Sequence, residues 1–189
     1  MDEVYSPQQN TQSPWHFSKI PNYVASSIRD IDYDRLLAAG VRHFVFDWDN
    51  TLVTFGASKL PPNTLEFLKA LQARPGVATV RIATNSIRDL RALRRASGLE
   101  VVQPAPWRFK PLPDFYRHIL KAIHDEPASI CMIGDKLLQD VWGANHAGFT
   151  TVLVQPLGRD NWFDRLLNLR RHEHAFLRKY LPQHVETWF

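Results

Sequence analysis

The sequence of 189 residues has a single cysteine, Cys131, so no disulfide can form within the chain. This composition is typical of proteins that work in a reducing compartment. Cys131 lies in the apolar stretch 128–133, where we expect a small core side chain rather than a nucleophile. The sequence also lacks any apolar run approaching the roughly 18 residues of a membrane-spanning helix, so no such helix is predicted.

The amino terminus lacks the features of a secretory signal or a transit peptide. Residues 1–14 have no basic start and no apolar middle, and they contain Asp2 and Glu3 but no arginine. We therefore expect a mobile polar tail over 1–14 and a cytoplasmic protein, with an organelle interior as the alternative if the chain is a mature form. The formal net charge of +4 suits an anionic partner, but solubility alone also explains it.

Strand-like and helix-like patterns alternate along the rest of the sequence. The apolar stretches of strand length lie at 42–47, 77–83, 99–103, 128–133 and 150–154. The stretches with helical spacing lie at 31–40, 62–74, 86–97, 113–124 and 139–147. Their alternation predicts one α/β domain over 15–157, with a Rossmann-like parallel sheet of about five strands flanked by helices. Residues 15–33 are expected to add irregular structure and a short helix beside this core.

Two acidic residues follow the first predicted strand at a spacing of i and i+2. Asp47 and Asp49 stand at its carboxyl end, the edge at which open α/β sheets bind ligands. A carboxylate placed there can attack an electrophile, and a second one can move a proton. Carboxylates repel phosphate, so chemistry on a phosphoryl group requires a divalent cation in addition. Further acidic residues and a cationic side chain are therefore expected downstream.

The downstream residues are present and in a suitable order. Thr84 and Asn85 follow the strand at 77–83, and Lys110 stands just before the helix at 113–124. Asp135 follows the strand at 128–133, and Asp140 comes five residues later. A lone Asp-x-Asp is most often a turn or a loop end. Four such motifs in this order, each near the end of a predicted strand or the start of a helix, are far more specific.

The motif set resembles the haloacid dehalogenase (HAD) superfamily of phosphatases. The stretches 46–53, 110–113, 133–141 and 143–148 are similar to its subfamily IIIA of the YqeG type, and so are the flanks 20–23 and 161–165. That group is related to mitochondrial phosphatidylglycerophosphate phosphatases. Thr84 stands where many members have serine, which also supplies a hydroxyl. Trp48 stands where an aliphatic residue is more usual, and places a large ring either at the site entrance or in the core.

The resemblance implies a catalytic role for three residues. Asp47 would be the nucleophile that forms an aspartyl-phosphate. Asp49 would protonate the leaving group and then activate water as a base. Lys110 would neutralise the charge on the transferring phosphoryl group.

The resemblance also implies the binding residues. Asp47, the backbone carbonyl of Asp49 and Asp135 would hold Mg²⁺, which favours oxygen ligands. Thr84 and the following N–H groups, at a helix start and assisted by Asn85, would bind phosphoryl oxygens. Asp140 would hold Lys110 or a metal-bound water in place.

The spacing between the motifs leaves no room for an inserted cap domain. The residues between Asp49 and Thr84 suffice for a small flap, one helix and one strand, and those between Thr84 and Lys110 for one helix and one strand. Caps in this superfamily enclose small substrates. We therefore expect an open site, which suits a phosphate carried on a lipid headgroup or a macromolecule.

Two basic regions are candidate contacts with an anionic surface. Arg88, Arg91 and Arg95 have the spacing of one helix face, and Arg88 lies closest to the predicted site, which makes it a candidate substrate-binding residue. The segment 158–189 mixes arginines with aromatic residues and is predicted to be helical and packed on or beside the core. Its composition also fits a helix at a membrane interface. A solvated helix face and a packed terminal helix are the simpler alternatives.

Three functions are compatible with these features. The first is a Mg²⁺-dependent phosphatase acting on the lipid headgroup of phosphatidylglycerophosphate, with peripheral contact at the inner face of a membrane. The second is the same chemistry on a sugar phosphate, a nucleotide or a phosphoprotein. The third is a non-catalytic module that binds RNA or a ribosome. The intact Asp49, Lys110 and Asp135 argue against the third, and no RNA-binding motif is visible, so a nucleic-acid partner is not expected. No feature indicates an oligomeric state.

Overall fold

The computed structural model describes residues 19–158 and 169–180. Its strands are β1 (Tyr23–Ala25), β2 (His43–Phe46), β3 (Thr79–Ala83), β4 (Glu100–Val102), β5 (Ile130–Gly134) and β6 (Thr150–Val154). Its α-helices are α1 (Tyr33–Ala38), α2 (Pro62–Gln72), α3 (Arg91–Ser97), α4 (Pro113–Ile123), α5 (Gly143–His146) and α6 (Leu169–Tyr180). A 3₁₀ turn covers Pro127–Ser129, and a π-helix covers Leu137–Trp142. The predicted tail 1–14 and most of the basic carboxyl-terminal segment lie outside the described residues.

The strands form one parallel sheet in the order β1-β6-β5-β2-β3-β4. The predicted α/β fold is therefore confirmed. From β2 the chain builds outward through β3 to β4 and then returns to β5 on the other side of β2. The boundary between β2 and β5 is thus a topological switch point, where a parallel sheet opens a crevice at its carboxyl ends. Phe46 pairs with Ile133 at this boundary, so the residues that follow each strand enter the crevice side by side.

The sheet has one strand more than the sequence predicts. Tyr23–Ala25, expected to be irregular, form the edge strand β1 beside β6. Asn22 fixes this edge, because its Oδ1 accepts from Thr151 N at 2.8 Å. Three half-buried residues are too few to produce an alternating pattern, which explains why the strand is missed.

The helix predicted over 86–97 begins only at Arg91. Side-chain oxygens replace the helical hydrogen bonds over the first residues, since Thr84 Oγ1 accepts from Ser86 N at 2.9 Å and Ser86 Oγ accepts from Arg88 N at 3.3 Å. Such local bonds stabilise turns in competition with helix. The predicted helical face shared by Arg88, Arg91 and Arg95 is therefore wrong, because Arg88 lies in a loop.

The helix predicted over 139–147 is divided into two segments. The π-helix Leu137–Trp142 comes first, and the short α5 completes the turn. Single π-helical turns often occur at functional sites. Here the wider turn carries Asp140 back under the end of β5.

The core resolves the position of Trp48. Its side chain is fully buried, and its Nε1 donates to the Ala57 carbonyl at 3.2 Å, so the ring belongs to the core and not to the site entrance. Cys131 is buried on the sheet, as expected. At the other end of the chain, Leu177 of α6 packs against Leu137 and Leu153, which places this helix on the domain.

Two connections border the crevice. Residues 47–61 join β2 to α2 through turns, and the stretch between β3 and α4 contains α3, β4 and loops. Within the described ranges, no helix has the length and apolar character needed to cross a membrane.

Candidate active site

The crevice between β2 and β5 collects three buried carboxylates. Asp47 follows β2, Asp135 follows β5, and Asp140 lies on the π-helix; their exposed fractions are 7%, 2% and 1%. Ligand oxygens of the three lie within 4.8 Å of one another. The backbone explains the convergence, since Asp47 N donates to the Ile133 carbonyl at 2.8 Å and continues the pairing of the two strands past their ends.

Lys110 supplies the positive charge of this cluster. Its Nζ donates to Asp140 Oδ1 at 2.6 Å and to the Ala83 carbonyl at 3.2 Å, and it also donates to Asp47. Lys110 is 2% exposed. The carboxylates Asp47 and Asp140 hold the pKa of its ammonium above the usual range despite burial. Of the two partners predicted for Asp140, the structure thus has the lysine.

The cluster has more acidic side chains than basic ones. Three carboxylates face one buried ammonium, and like charges held this close in a buried site disfavour ionisation. Burial is the largest cause, with Asp140 and Asp135 adding to it, and together they raise the pKa of Asp47 to about 8 despite the opposing effect of Lys110. The excess of acid over base fits a divalent cation bound by carboxylate oxygens. Asp47, Asp135 and Asp140 are the described residues whose oxygens converge closely enough to hold one.

The metal-free protein is expected to lose stability as the pH rises from about 5 to about 8. With its pKa near 8, Asp47 keeps a proton in the folded state that the same side chain has lost in the unfolded chain. The folded state binds more protons in this window, so raising the pH favours unfolding. Thermal melting in EDTA across this range checks the slope. Asp47→Asn should flatten it, and identical slopes in both proteins would contradict the assignment.

Gly134 is required for the position of Asp140. A Cβ atom built on Gly134 would overlap the Asp140 carboxyl group. Asp140 Oδ2 also accepts from Lys136 N at 3.1 Å, which fixes the carboxylate directly under the strand end. A side chain at position 134 would therefore push Asp140 away from Lys110.

Gly134→Ala is expected to lower the free energy of unfolding by about 1–3 kcal/mol, the usual cost of overpacking, and to reduce turnover. Urea unfolding and phosphate release measure the two effects. Gly158→Ala is the matched control at the same edge of the sheet, because the nearest atoms to its added Cβ are at an ordinary 3.6 Å. Equal stability of the two variants would contradict the predicted overlap.

Asn85 lies beside the backbone of Lys110. Its Oδ1 accepts from Lys110 N, and its Nδ2 donates to the Lys110 carbonyl, both at 2.8 Å. The side chain thus clamps the backbone of the lysine and links the loop after β3 to the start of α4. Thr84 is 1% exposed, and its hydroxyl accepts from Ser86 N, but the next helix begins only at Arg91 and not directly after Thr84.

Asp49 and Arg88 form an ion pair at the mouth of the crevice. Arg88 Nη1 donates to Asp49 Oδ1 at 2.9 Å, and their side chains are 30% and 19% exposed. Gly56 N also donates to Asp49 Oδ1 at 3.1 Å. Asp49 therefore does not join the three buried carboxylates through its side chain.

A cavity of about 290 Å³ leads from the solvent to Asp47. Asp49, Thr84, Asn85 and Arg88 line it, which brings five of the predicted site residues to one opening. Sequence reasoning missed six further lining residues: Asn50, Phe55, Ser86, Ile87, Lys136 and Gln139. Each lies in a segment that follows a strand, and this position is the signal that could have found them.

A sequence model of the haloacid dehalogenase-like hydrolase family matches residues 53–148. The chain belongs to this family. Asp47 and Asp49 stand immediately before the matched range, at the end of β2. Within the family the chain is a phosphatase, related to the YqeG-type group.

Two curated relatives extend the comparison. The chain is 24% identical over 144 residues to the probable phosphatase YqeG of Bacillus subtilis, covering 76% of this chain and 81% of the relative. It is 32% identical over 147 residues to the chloroplastic phosphatidylglycerophosphate phosphatase 1 of Chlamydomonas reinhardtii, covering 73% of this chain. The chain spans 53% of the length of that algal relative.

A solved structure has the same fold. An uncharacterized protein from Listeria monocytogenes serotype 4b superimposes with a TM-score of 0.51 at 17% identity, covering 69% of this chain and 99% of that one. This likeness concerns the arrangement of strands and helices.

Proposed function

We propose that the chain is a Mg²⁺-dependent phosphatase that removes the terminal phosphate of phosphatidylglycerophosphate to leave phosphatidylglycerol. The observation that carries this proposal is the buried Asp47, held by Lys110 at the switch point beside Asp135 and Asp140. A carboxylate at the end of a cavity, with a fixed cation next to it, is placed to attack a phosphorus atom that enters from the mouth.

In the first step, an oxygen of Asp47 attacks phosphorus, and the bond from phosphorus to the glycerol oxygen breaks. After Arg88 has left Asp49 and the carboxyl group at the mouth has taken up a proton from solvent, Asp49 gives that proton to the departing oxygen. Lys110 stays beside Asp47 and offsets negative charge on the phosphoryl oxygens. The product of this step is an aspartyl-phosphate on Asp47 and a free alcohol.

In the second step, Asp49 takes a proton from a water molecule, whose oxygen attacks the phosphorus of the aspartyl-phosphate. Inorganic phosphate leaves, and the carboxylate of Asp47 is restored. Arg88 must release Asp49 for either proton transfer, because the two side chains are paired at 2.9 Å. An incoming phosphate gives Arg88 an alternative anionic partner, which couples substrate binding to the release of the acid.

A bound Mg²⁺ would supply the positive charge that keeps Asp47 ionised and lowers its repulsion of phosphate. Asp47 and Asp135 would hold it with their side chains, together with the backbone carbonyl of Asp49. Asp140 remains bonded to Lys110 in this assignment. All donors in the set are oxygens, which favours magnesium over the softer transition metals.

The lipid substrate is supported by the names of the relatives and by the shape of the site. The algal relative is a phosphatidylglycerophosphate phosphatase, and so is a relative from Arabidopsis thaliana that is 26% identical over 174 residues. The described connections that border the crevice consist of turns, loops, α3 and β4, and a mouth of this kind can accept a phosphate that remains attached to a membrane lipid. A peripheral position at the inner face of a membrane follows from that substrate.

The test is phosphate release from phosphatidylglycerophosphate in detergent micelles, with Mg²⁺ and with EDTA, beside a water-soluble phosphomonoester. We expect rapid release from the lipid that requires Mg²⁺. Turnover of the soluble ester alone would keep the chemistry and reject the lipid in favour of a sugar phosphate, nucleotide or phosphoprotein. Inactivity of the folded protein on both substrates would reject the proposal and favour a binding module.

A further inference from the structure

The large apolar side chains that are exposed among the described residues share one edge of the molecule. They are Phe55, Ile87, Trp107, Phe109, Leu138 and Leu157, and we call them the apolar rim. Each follows a strand: Phe55 comes after β2, Ile87 after β3, Trp107 and Phe109 after β4, Leu138 after β5, and Leu157 after β6. Because the strands are parallel, these segments all lie at the carboxyl edge of the sheet. This is the edge at which the active site opens.

The rim is continuous with the catalytic cavity. Phe55 and Ile87 line that cavity, and Ile87 is 90% exposed. Phe109 precedes Lys110, and Leu138 precedes Gln139, another lining residue. Clusters of exposed apolar side chains on a protein surface mark sites of contact with a partner or a membrane.

Trp107 is the most informative member of the rim. It is 83% exposed and has a φ of 61°, in the left-handed region that favours glycine. Reciprocal backbone hydrogen bonds between Ala105 and Arg108, at 2.9 and 2.8 Å, close a turn with Pro106 and Trp107 at its tip. Proline followed by a residue with positive φ is the pattern of a type II turn, in which glycine is preferred at the second position.

Trp107 is therefore unfavourable for the stability of the folded state in two ways. Its backbone would be more stable with glycine, and its ring faces water. Residues in strained backbone conformations cluster at active sites, ligand clamps and switch regions. The indole ring, with an apolar body and one N–H donor, is the side chain best suited to the boundary between lipid headgroups and acyl chains.

The same edge carries positive charge. Lys59 is exposed, and Arg108 and Lys136 are half-buried in the segments that carry the rim, where Arg88 is already paired with Asp49. Asp89, an exposed acid of the loop after β3, is neutralised by Arg91 at 2.8 Å. A basic surface interleaved with apolar side chains complements an anionic bilayer, which attracts each nearby lysine or arginine and accepts apolar groups at its interface.

We propose that the apolar rim docks on the surface of an anionic phospholipid bilayer, with Trp107 as the inserted anchor, so that the catalytic cavity opens directly onto the headgroups. This inference rests on the proposed function, because it assigns the way in which the same site reaches a membrane-bound substrate. It places the contact on the edge around the site rather than on the basic segment at 158–189.

The experiment is co-sedimentation of the full chain with vesicles made of equal parts phosphatidylglycerol and phosphatidylcholine, compared with vesicles of phosphatidylcholine alone. Trp107→Gly is the test variant, since glycine suits the backbone conformation and folding should be preserved or improved. We expect vesicle affinity to drop by about tenfold. Turnover of vesicle-bound phosphatidylglycerophosphate should fall with it, whereas turnover of a soluble phosphomonoester should remain unchanged.

His124→Gly is the matched control. His124 is exposed and also has a positive φ, of 59°, but it ends α4 just before β5 and therefore lies at the opposite edge of the sheet. This variant should bind vesicles as the wild type does. The thermal melting of this variant also measures how much glycine at a position of positive φ changes the stability of the protein.

The outcomes separate the two proposals. Unchanged vesicle binding by Trp107→Gly would overturn the docking surface and leave the lipid phosphatase intact. Wild-type binding that depends on Trp107, without hydrolysis of the lipid, would support the surface and reject the substrate. Absence of vesicle binding, with self-association that disappears in Trp107→Gly, would overturn the bilayer as occupant in favour of a second copy of the chain.

Discussion

Replacing Asp47 by asparagine is expected to abolish phosphate release, with turnover reduced by about 10⁴-fold or more. The amide is close to the carboxylate in size and can still accept from Lys110, so the fold should be retained. It has no anionic oxygen to attack phosphorus. Steady-state turnover of a soluble phosphomonoester measures the loss, with Asp114→Asn, an exposed carboxylate on α4, as the control that should retain activity.

Trapping the phosphorylated protein tests the same prediction by a second measurement. Acid quenching of the wild type during turnover of a labelled substrate should leave phosphate on the chain, and hydroxylamine should release it, as expected of an acyl phosphate. Asp47→Asn should carry no label. Residual turnover of Asp47→Asn within tenfold of wild type would show that another group attacks the substrate.

Lys110→Met is expected to lower both the stability and the activity of the protein by large amounts. The substitution leaves Asp47, Asp135 and Asp140 buried without the ammonium that bonds two of them. Removing one partner of a buried ion pair typically costs about 3–5 kcal/mol. For a domain of this size, that corresponds to a fall in melting temperature of roughly 10 °C.

The loss should depend on pH and on the neighbouring acid. Protonation of Asp47 relieves its repulsion by the neighbouring acids, so the difference from wild type should shrink as the pH falls from about 8 towards about 5. Adding Asp140→Asn to Lys110→Met should recover part of the stability, because it removes one of the unpaired charges. Lys121→Met changes an exposed lysine on α4 and should have little effect. Equal melting of Lys110→Met and wild type in EDTA would refute the role of the buried ammonium.

Much of the fold could be predicted because five of the six described strands lie in apolar runs separated by helical patterns. The β2 and β5 strands are buried on both faces, and an acidic residue directly follows each of them, so motif order and strand ends indicated the same site. The short β1 escaped prediction because its stability comes from pairing with β6 and from Asn22, contacts that are distant in sequence. The local sequence pattern does not indicate such long-range contacts.

The loop after β3 could not be predicted for a different reason. Its arginines have helical spacing, but Thr84 and Ser86 offer side-chain oxygens that compete with the helical bonds. The helical spacing favours a helix here, but the hydroxyl groups of Thr84 and Ser86 stabilise a loop instead. The correction moves Arg88 from a helix face into contact with Asp49. It also reveals the clamp that Asn85 makes on Lys110, for which the sequence contains no local signal.

The carbonyl of Ala57 connects the core to the Arg88–Asp49 ion pair at the mouth of the cavity. That oxygen accepts from Trp48 in the core at 3.2 Å and from Arg88 at the mouth at 3.4 Å. Arg88 also lies 5.5 Å above the ring of Phe55, in the same turn. When Arg88 leaves for a phosphate, this turn loses those two contacts but keeps the bonds of Ala57 to Trp48 and of Gly56 to Asp49. The turn should therefore become more mobile at the mouth as substrate arrives, while Trp48 continues to hold it to the core.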